Sequence, residues 1–295
     1  MSAIVISDLT KRIGKKSVFS NLNLEVLEGE FFALLGLEDS GKTTLSKILF
    51  NYLKPAKGKV TIFDMDCVKD SRAIKESVGF VPEEVYFQEN VKIINLLKTT
   101  LNTHNLKSLE EIDMLLDYFG LDSKMKVLDM NNNEKKLFSI INALIIKPRL
   151  LIMDEPTKYL EQEQIEKLFE YLNKMKEENS LTLFMLTKSL SEAQRFCDRV
   201  AYLYDGSIKE IESMSNKVSS DKIIKIYNDL EDLDPFINIG AKIISTTKNN
   251  IVLYYDKDMR VLSRIIYESG IDNYSIENSS LSDKIAAYYK EEGEE

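Results

Sequence analysis

The fold is decided by residues 31–44, which read FFALLGLEDSGKTT. The run Phe31–Leu35 is continuously apolar, which is typical of a β-strand buried on both faces of a parallel sheet. The segment Gly36–Thr43 matches the pattern G-x-x-x-x-G-K-[ST], and the residues after it have the spacing of a helix. Glycines let such a loop curl so that its backbone N–H groups surround phosphate oxygens. We therefore predict a phosphate-binding loop, in which Lys42 reaches the β- and γ-phosphates of a nucleotide and the Thr43 hydroxyl holds Mg²⁺.

A second stretch, LLIMDE at 150–155, ends another apolar run with two acidic residues. A buried strand that ends in a carboxylate can aim Asp154 at the ligand shell of Mg²⁺. Glu155 can polarise a water for in-line attack on the γ-phosphate, which makes it a candidate catalytic residue. The acidic pair alone is a weak signal. Together with the lysine loop upstream it is a strong signal for a nucleotide site.

Composition excludes several classes of protein. The chain has 295 residues, of which 44% are apolar and 29% charged, as in ordinary globular domains. Its longest apolar run, near Leu137–Ile146, is far too short to span a membrane and no signal peptide is visible, so we expect a soluble chain. The net charge is −9 without a basic stripe, which argues against nucleic-acid binding. Cys67 and Cys197 lie far apart, which suits inert thiols in a reducing cytoplasm.

Apolar periodicity divides the chain into an α/β part and a smaller C-terminal α+β part. In the first part, strands are predicted at Ile4–Ile6, Leu22–Val26, Phe31–Leu35, Lys59–Phe63, Val78–Val81, Leu150–Met153, Leu181–Leu186, Val200–Tyr204 and Ser207–Ile211. Helices are predicted at Thr43–Leu53, Leu109–Phe119, Gln162–Asn179 and Ser191–Cys197. We predict a main domain at 1–212 with a helical lobe at about 85–146, a polar linker at 213–220 and an accessory domain at 221–295.

These motifs and their surroundings resemble the ATP-binding subunit of ABC transporters. The resemblance covers roughly Ile4–Ile211 and rests on GLEDSGKTT (36–44), VGFVPEE (78–84), ALIIKPRLLIMDEPT (143–157) and SLSEAQRFCDRVAYLYDGSIKEI (189–211). It implies a RecA-like P-loop ATPase lobe with N-terminal antiparallel strands, and a helical lobe. It also implies head-to-tail dimers, in which one subunit's phosphate loop and the other's signature loop enclose each ATP. Residues 219–295 resemble the small domain appended to ATPases of exporters whose permease is a separate chain.

The resemblance also implies ligands, partners and a location. The ligands are ATP and Mg²⁺, and the partners are an integral membrane permease and a second ATP-binding subunit, of the same or an unlike chain. The location is the cytoplasmic face of the cell membrane, held there by the permease. The resemblance places nucleotide contacts at Ile13, Gly36, Asp39, Ser40, Gly41, Lys42, Thr43, Thr44, Glu83 and Asp154, with Thr43, Glu83 and Asp154 as Mg²⁺ ligands.

Several positions depart from the family pattern. Ile13 stands where an aromatic ring stacks on adenine, so apolar contact remains without stacking. Glu83 replaces the glutamine that senses Mg²⁺ and the permease. Glu161 replaces the aspartate of a dimer-contact loop. Lys188 replaces the histidine that contacts the γ-phosphate, and a protonated lysine cannot accept a hydrogen bond.

The largest departure is in the signature loop, which is normally Leu-Ser-Gly-Gly-Gln. Here it falls on Met130, Asn131, Asn132, Asn133 and Glu134. The two glycines of the family let the backbone approach the opposing γ-phosphate, and asparagine side chains obstruct that approach. We therefore predict intact nucleotide binding, with altered parts for completing hydrolysis.

The sequence favours an ATP-binding and ATP-hydrolysing subunit that powers or gates an exporter, with an amphipathic or antimicrobial peptide or a drug as cargo. The alternatives are a regulatory subunit with little hydrolysis of its own and an ABC ATPase without a transport role. The latter usually carries two cassettes or a long coiled-coil insert, and neither is visible here. We expect the permease to contact the groove around Glu83–Leu97, with Tyr86 and Phe87 as candidate anchors.

Overall fold

The computed structural model describes residues 1–85, 90–106, 108–216, 221–228, 230, 232–247 and 250–289. Its strands are β1 (Ser2–Ile13), β2 (Lys16–Leu27), β3 (Phe31–Gly36), β4 (Lys57–Ile62), β5 (Met65–Asp66), β6 (Val78–Val81), β7 (Leu150–Asp154), β8 (Thr182–Thr187), β9 (Arg199–Tyr204), β10 (Ser207–Ser213), β11 (Lys222–Ile226), β12 (Lys242–Thr247), β13 (Asn250–Tyr255) and β14 (Tyr274–Asn278). Its α-helices are α1 (Lys42–Leu49), α2 (Ser71–Ser77), α3 (Ile93–Thr103), α4 (Glu110–Phe119), α5 (Asn132–Leu144), α6 (Gln162–Asn179), α7 (Leu190–Phe196), α8 (Asp234–Asn238), α9 (Met259–Glu268) and α10 (Leu281–Tyr288).

A six-stranded sheet in the order β10-β9-β3-β8-β7-β6 forms the centre of the main domain. Strands β3, β6, β7, β8 and β9 run parallel, and β10 pairs antiparallel with β9 at the edge. Every residue of β3 is buried, because Phe31 and Leu35 face one core while Phe32 faces the other. The carboxyl ends of parallel strands meet at one edge, which brings the loop after β3 beside Asp154 and Thr187.

A second, antiparallel sheet in the order β2-β1-β4-β5 covers one face of the central sheet. Its first two strands are much longer than the predicted segments Ile4–Ile6 and Leu22–Val26. Their pairing shifts register between Ile6 and Leu9, and Asp8 in this bulge has a φ of 53°. Such bulges interrupt the alternation of apolar and polar residues, which explains why the sequence underestimated these strands.

The other face of the central sheet is covered by helices, and α3, α4 and α5 lie within the predicted helical lobe. The candidate anchors Tyr86 and Phe87 lie outside the described residues. Helix α1 ends at Leu49, so the predicted extension to Leu53 is wrong. Asn51 adopts a left-handed conformation with a φ of 55°, which terminates the helix.

The C-terminal part forms its own antiparallel sheet, in the order β12-β13-β11-β14, with α8 and α9 packed on one face. Its last helix, α10, inserts Leu281 and Ile285 into the core of the main domain. Lys284 between them is fully buried and forms an ion pair with Glu212 at the end of β10. Strand β10 extends to Ser213, the first residue of the predicted linker, and residues 217–220 of that linker lie outside the described part.

Two further predictions concern solvent and membrane. Both cysteines are buried, and burial raises the pKa of the Cys67 thiol to about 12 and that of Cys197 as well, as expected for inert thiols. Within the part of the chain that the structure describes, no helix has the length and apolar character needed to cross a bilayer.

Candidate functional site

The phosphate loop joins β3 to α1 and depends on two glycines. Gly41, which precedes α1, has a φ of 104°, and a Cβ there would lie 2.7 Å from Val18 Cγ1. A Cβ on Gly36 would lie 2.3 Å from Ser40 Oγ. Neither position can therefore carry a side chain without moving its neighbours. Asp39 between them has a φ of 59°, which is uncommon for a residue other than glycine.

Lys42 is buried at the start of α1 and its ammonium group lies inside the loop. Its Nζ donates to the carbonyl oxygens of Gly36 at 2.6 Å and Leu37 at 3.0 Å. The same atom lies 3.4 Å from Glu155 Oε1. These contacts hold a positive charge where backbone N–H groups and a helix N-terminus also favour an anion.

Asp154, at the end of β7, lies below the loop and is 1% exposed. Its Oδ2 accepts a hydrogen bond from Ser46 Oγ at 3.2 Å, and the Thr43 hydroxyl lies near this carboxyl group. Burial raises the pKa of the Asp154 carboxyl to about 6, although both hydroxyls act to lower it. Its Oδ1 is buried and has no hydrogen-bond partner among the described residues.

This arrangement allows a direct test of whether the residues suit Mg²⁺. Magnesium prefers hard oxygen ligands and is usually held by one or two carboxylates together with substrate phosphates. The carboxylate oxygen of Asp154 that lacks a donor, next to the Thr43 hydroxyl, matches that preference. The residues therefore fit the metal.

Glu155 follows β7 and points into the same cavity. Its backbone has a φ of 44°, and its N–H donates to the carbonyl of Leu186 at 2.8 Å. Its Oε2 accepts hydrogen bonds of 3.3 Å from both Thr187 Oγ1 and the Lys188 backbone N–H. Its carboxylate is thus oriented between Lys42 on one side and the end of β8 on the other. A non-glycine residue with a strained backbone at such a place is typical of a functional site.

Two of the positions that depart from the family pattern, Glu83 and Lys188, are paired with opposite charges. Glu83 Oε1 accepts from Lys158 Nζ at 2.9 Å, and the same ammonium lies 2.5 Å from Glu84 Oε1. Lys188 Nζ lies 2.5 Å from Glu38 Oε1 at the cavity rim. The hydrogen bond between these two groups raises the pKa of Lys188 and lowers that of Glu38. Glu83 therefore faces a lysine in this structure, and Lys188 faces a carboxylate.

These residues enclose a cavity of about 840 Å³. It brings together most of the sequence-predicted contacts, which are Ile13, Asp39, Ser40, Gly41, Lys42, Thr43, Thr44, Glu83, Glu155 and Lys188. Ile13 is half-exposed at one end, next to Lys16 and Val18. Gly36 and Asp154 lie directly behind the lining, as part of the loop and of its support.

The signature positions lie outside this lining. Asn131 caps α5 in a reciprocal pair with Glu134, in which each side chain accepts from the other's backbone N–H at 2.9 Å. Asn132 is exposed at the first residue of the helix. Asn133 donates to Tyr159 O at 2.7 Å and to Gln164 Oε1 at 2.6 Å. Their role towards an ATP on a second subunit stays a prediction.

Sequence reasoning missed several residues of the site. Glu38 falls inside a quoted motif and Lys158 directly follows another, and their charges at positions without an assigned role could have marked them. Ser46 supports Asp154, and Glu192 accepts from Thr157 Oγ1 at 2.7 Å on the cavity wall. Burial raises the pKa of Glu192. Lys136 reaches the site through hydrogen bonds to backbone carbonyls, which no sequence signal indicates.

Comparison with known proteins identifies relatives of this chain. A family model described as ABC transporter matches residues 19–158. The chain is 31% identical to the Nod factor export ATP-binding protein I of Rhizobium sp. (strain N33), over 69% of this chain and 68% of that protein. It is 29% identical to a bacitracin transport ATP-binding protein of Bacillus licheniformis, over 71% of this chain and 70% of that protein. A dimeric ATP-binding cassette solved with ADP and Pi has the same fold, with a TM-score of 0.65 and 23% identity over 72% of this chain and 98% of that chain.

Proposed function

This chain belongs to the ABC transporter family, among its ATP-binding proteins, and we propose that it hydrolyses ATP to power or gate an exporter. The predicted RecA-like P-loop ATPase fold is confirmed by its structural neighbours. One observation carries the proposal for this chain. The buried Asp154 keeps an oxygen without a donor beside the Thr43 hydroxyl, directly below a loop that presents Lys42. Such a set of groups suits a magnesium nucleotide.

The roles follow from the positions of the groups. The loop's N–H groups and Lys42 would bind the β- and γ-phosphates, while Thr43 and Asp154 would hold Mg²⁺. Magnesium bound with ATP neutralises the charge that develops on the phosphates during transfer. Glu155 lies 3.4 Å from the ammonium of Lys42 and would polarise the attacking water. Ile13 would contact the adenine without stacking on it.

Completion of the site requires a second ATP-binding subunit, whose signature loop would face the γ-phosphate. The signature of this chain is rich in asparagine, and Lys188 is engaged with Glu38. Removal of one preorganised charge-stabilising donor typically lowers a rate by about 10²–10³-fold. We therefore expect slow hydrolysis by the isolated chain, with a higher rate in the presence of its permease or an unlike ATPase subunit. A like-chain dimer would carry the altered signature at both sites.

The proposed partner is an integral membrane permease, which would hold the chain at the cytoplasmic face of the membrane. The names of two relatives, which refer to Nod factor export and bacitracin transport, support an exporter. We propose a peptide or a drug as the cargo of this exporter. A regulatory subunit with little hydrolysis is the second candidate function, and the altered signature at 130–134 favours it.

Titration of Mg·ATP against the wild type and Lys42→Ala tests the nucleotide site. Loss of several charge-assisted contacts should cost about 3 kcal/mol, which corresponds to an affinity at least about 100-fold weaker. Lys47→Ala is the matched control, because Lys47 is exposed on the same helix. Equal affinities of the wild type and Lys42→Ala would refute the nucleotide site. Measurement of phosphate release with and without the co-purified permease then separates the exporter ATPase from the regulatory subunit.

A further inference from the structure

Lys136, in the second turn of α5, has its ammonium group buried inside the protein. It is 1% exposed, although long charged side chains normally extend their charged end into water. Its Nζ donates three hydrogen bonds, to Pro82 O at 2.9 Å, Glu83 O at 2.8 Å and Glu155 O at 3.2 Å. Since an ammonium group has three N–H donors, all of them are used here.

The burial of this charge calls for a reason beyond packing. An ammonium group taken out of water is costly unless its donors are satisfied, and an apolar residue of similar length would fill the same space without that cost. Burial lowers the pKa of Lys136 to about 8, while Asp154, Glu84 and Glu83 act to raise it. The group therefore remains largely protonated at neutral pH.

The three carbonyl acceptors belong to two loops of the candidate site. Pro82 and Glu83 follow β6, and the Glu83 side chain is paired with Lys158. Glu155 follows β7, and its strained peptide also bonds to Leu186. Lys136 itself belongs to the helix that begins directly after the first signature positions. One side chain thus connects the signature helix to both loops.

We infer that Lys136 is a positioning residue, which couples movement of α5 to the orientation of the Glu155 carboxylate. The inference rests on the proposed ATPase function. The bond to Glu155 is 3.2 Å long, so a displacement of α5 by a few tenths of an ångström either breaks it or moves the peptide of Glu155. A catalytic group displaced by about 1 Å can lose about 10²-fold in rate. When the nucleotide on a second subunit closes against the signature loop of this chain, the resulting movement of α5 would be transmitted to Glu155 through Lys136.

The test compares Lys136→Met with the wild type in Mg·ATP binding and in single-turnover hydrolysis. Methionine has similar length and no donor, and Lys136 is not among the described residues that line the cavity. We expect the hydrolysis rate to fall by at least about tenfold, while the Kd for Mg·ATP stays within about twofold. Lys174→Met removes an exposed lysine of α6 and should leave both values unchanged.

A double-mutant cycle distinguishes positioning from general stability. If Lys136 acts through Glu155, then Lys136→Met should have little further effect on the residual rate of Glu155→Gln. Independent, multiplicative losses would overturn the inference. So would an unchanged rate in Lys136→Met, or a Kd that weakens in proportion to the rate.

A second variant protects the test against failure to fold. If Lys136→Met does not fold, Lys136→Gln takes its place, because the glutamine side-chain amide has two N–H donors where the lysine ammonium has three. The inference then requires a rate at least about threefold lower with an unchanged Kd, and an unchanged rate overturns it. A wild type that neither binds nor hydrolyses Mg·ATP would instead remove the proposed function, so the two failures are distinguishable.

Discussion

Replacing Asp154 by asparagine should stabilise the nucleotide-free protein and abolish its response to Mg²⁺. The carboxyl is 1% exposed, and burial raises its pKa from 3.8 to about 6. Each unit of pKa shift corresponds to about 1.4 kcal/mol, so a shift of about two units gives about 3 kcal/mol. This free energy is the cost of keeping a negative charge at the site above pH 6. Asparagine removes the charge and retains groups that can bond to Thr43 and Ser46.

The pH dependence has a definite sign. Because the pKa of Asp154 is higher in the folded protein than in the unfolded chain, the folded state binds a proton between about pH 4 and pH 6 that the unfolded state does not. The free energy of unfolding of the wild type therefore gains a contribution as the pH falls through 6. The amide introduced by Asp154→Asn does not titrate, so the advantage of this variant should be about 3 kcal/mol at pH 7.5 and shrink towards zero near pH 4.

Urea denaturation of the wild type and Asp154→Asn at pH 7.5, 6 and 4.5 measures this difference, since titration of all other groups cancels between the two proteins. Asp117→Asn, on the exposed side of α4, controls for loss of a surface charge and should change stability by less than about 0.5 kcal/mol. Addition of Mg·ATP should stabilise the wild type by mass action and Asp154→Asn much less. The reasoning fails if Asp154→Asn is the less stable protein at pH 7.5, or if its advantage does not depend on pH.

Two other predictions concern the ends of the cavity. Ile13→Tyr places a ring where the half-exposed Ile13 meets the cavity, and stacking should tighten Mg·ATP binding by about two- to tenfold without affecting the binding of tripolyphosphate, as measured by calorimetry. Lys188→His releases Glu38 and restores a side chain that can accept a hydrogen bond, so partner-stimulated phosphate release should rise; an equal or lower rate would show that Lys188 does not limit turnover.

Elements buried on both faces were predictable from the sequence, because continuous apolar runs have few alternatives. Strand Val78–Val81 has the predicted bounds, and the predicted strand Leu150–Met153 is one residue short. Helix Gln162–Asn179 also has the predicted bounds, because its buried residues recur with helical spacing. The short helices Ser71–Ser77 and Asp234–Asn238 were missed, since each buries a single side chain and has too few residues to display a period.

The candidate site was predictable where its residues are adjacent in sequence and not where they meet through the fold. The loop at 36–43 supplies Lys42 and Thr43 together, and LLIMDE supplies Asp154 and Glu155 together. By contrast, Lys158 and Glu83 are far apart along the chain, as are Lys136 and its carbonyl acceptors. A lysine in a sequence does not reveal whether it is solvated, paired or buried, because that depends on groups brought near it by tertiary packing.

The charges of Glu83 and Lys188 distinguish this site from one with the family's neutral residues at those two positions. Three lysines that line it are already bound to carboxylates, namely Lys42 to Glu155, Lys158 to Glu83 and Lys188 to Glu38. A polyphosphate bound in the cavity would compete with these carboxylates for the ammonium groups. The carboxylates that lose their ion-pair partners would then face a negative ligand. In the proposed complex, magnesium bound with the nucleotide would bring positive charge to that place and would offset the repulsion. We therefore expect the altered positions to make nucleotide binding depend more strongly on the metal, which the buried carboxylate of Asp154 would hold.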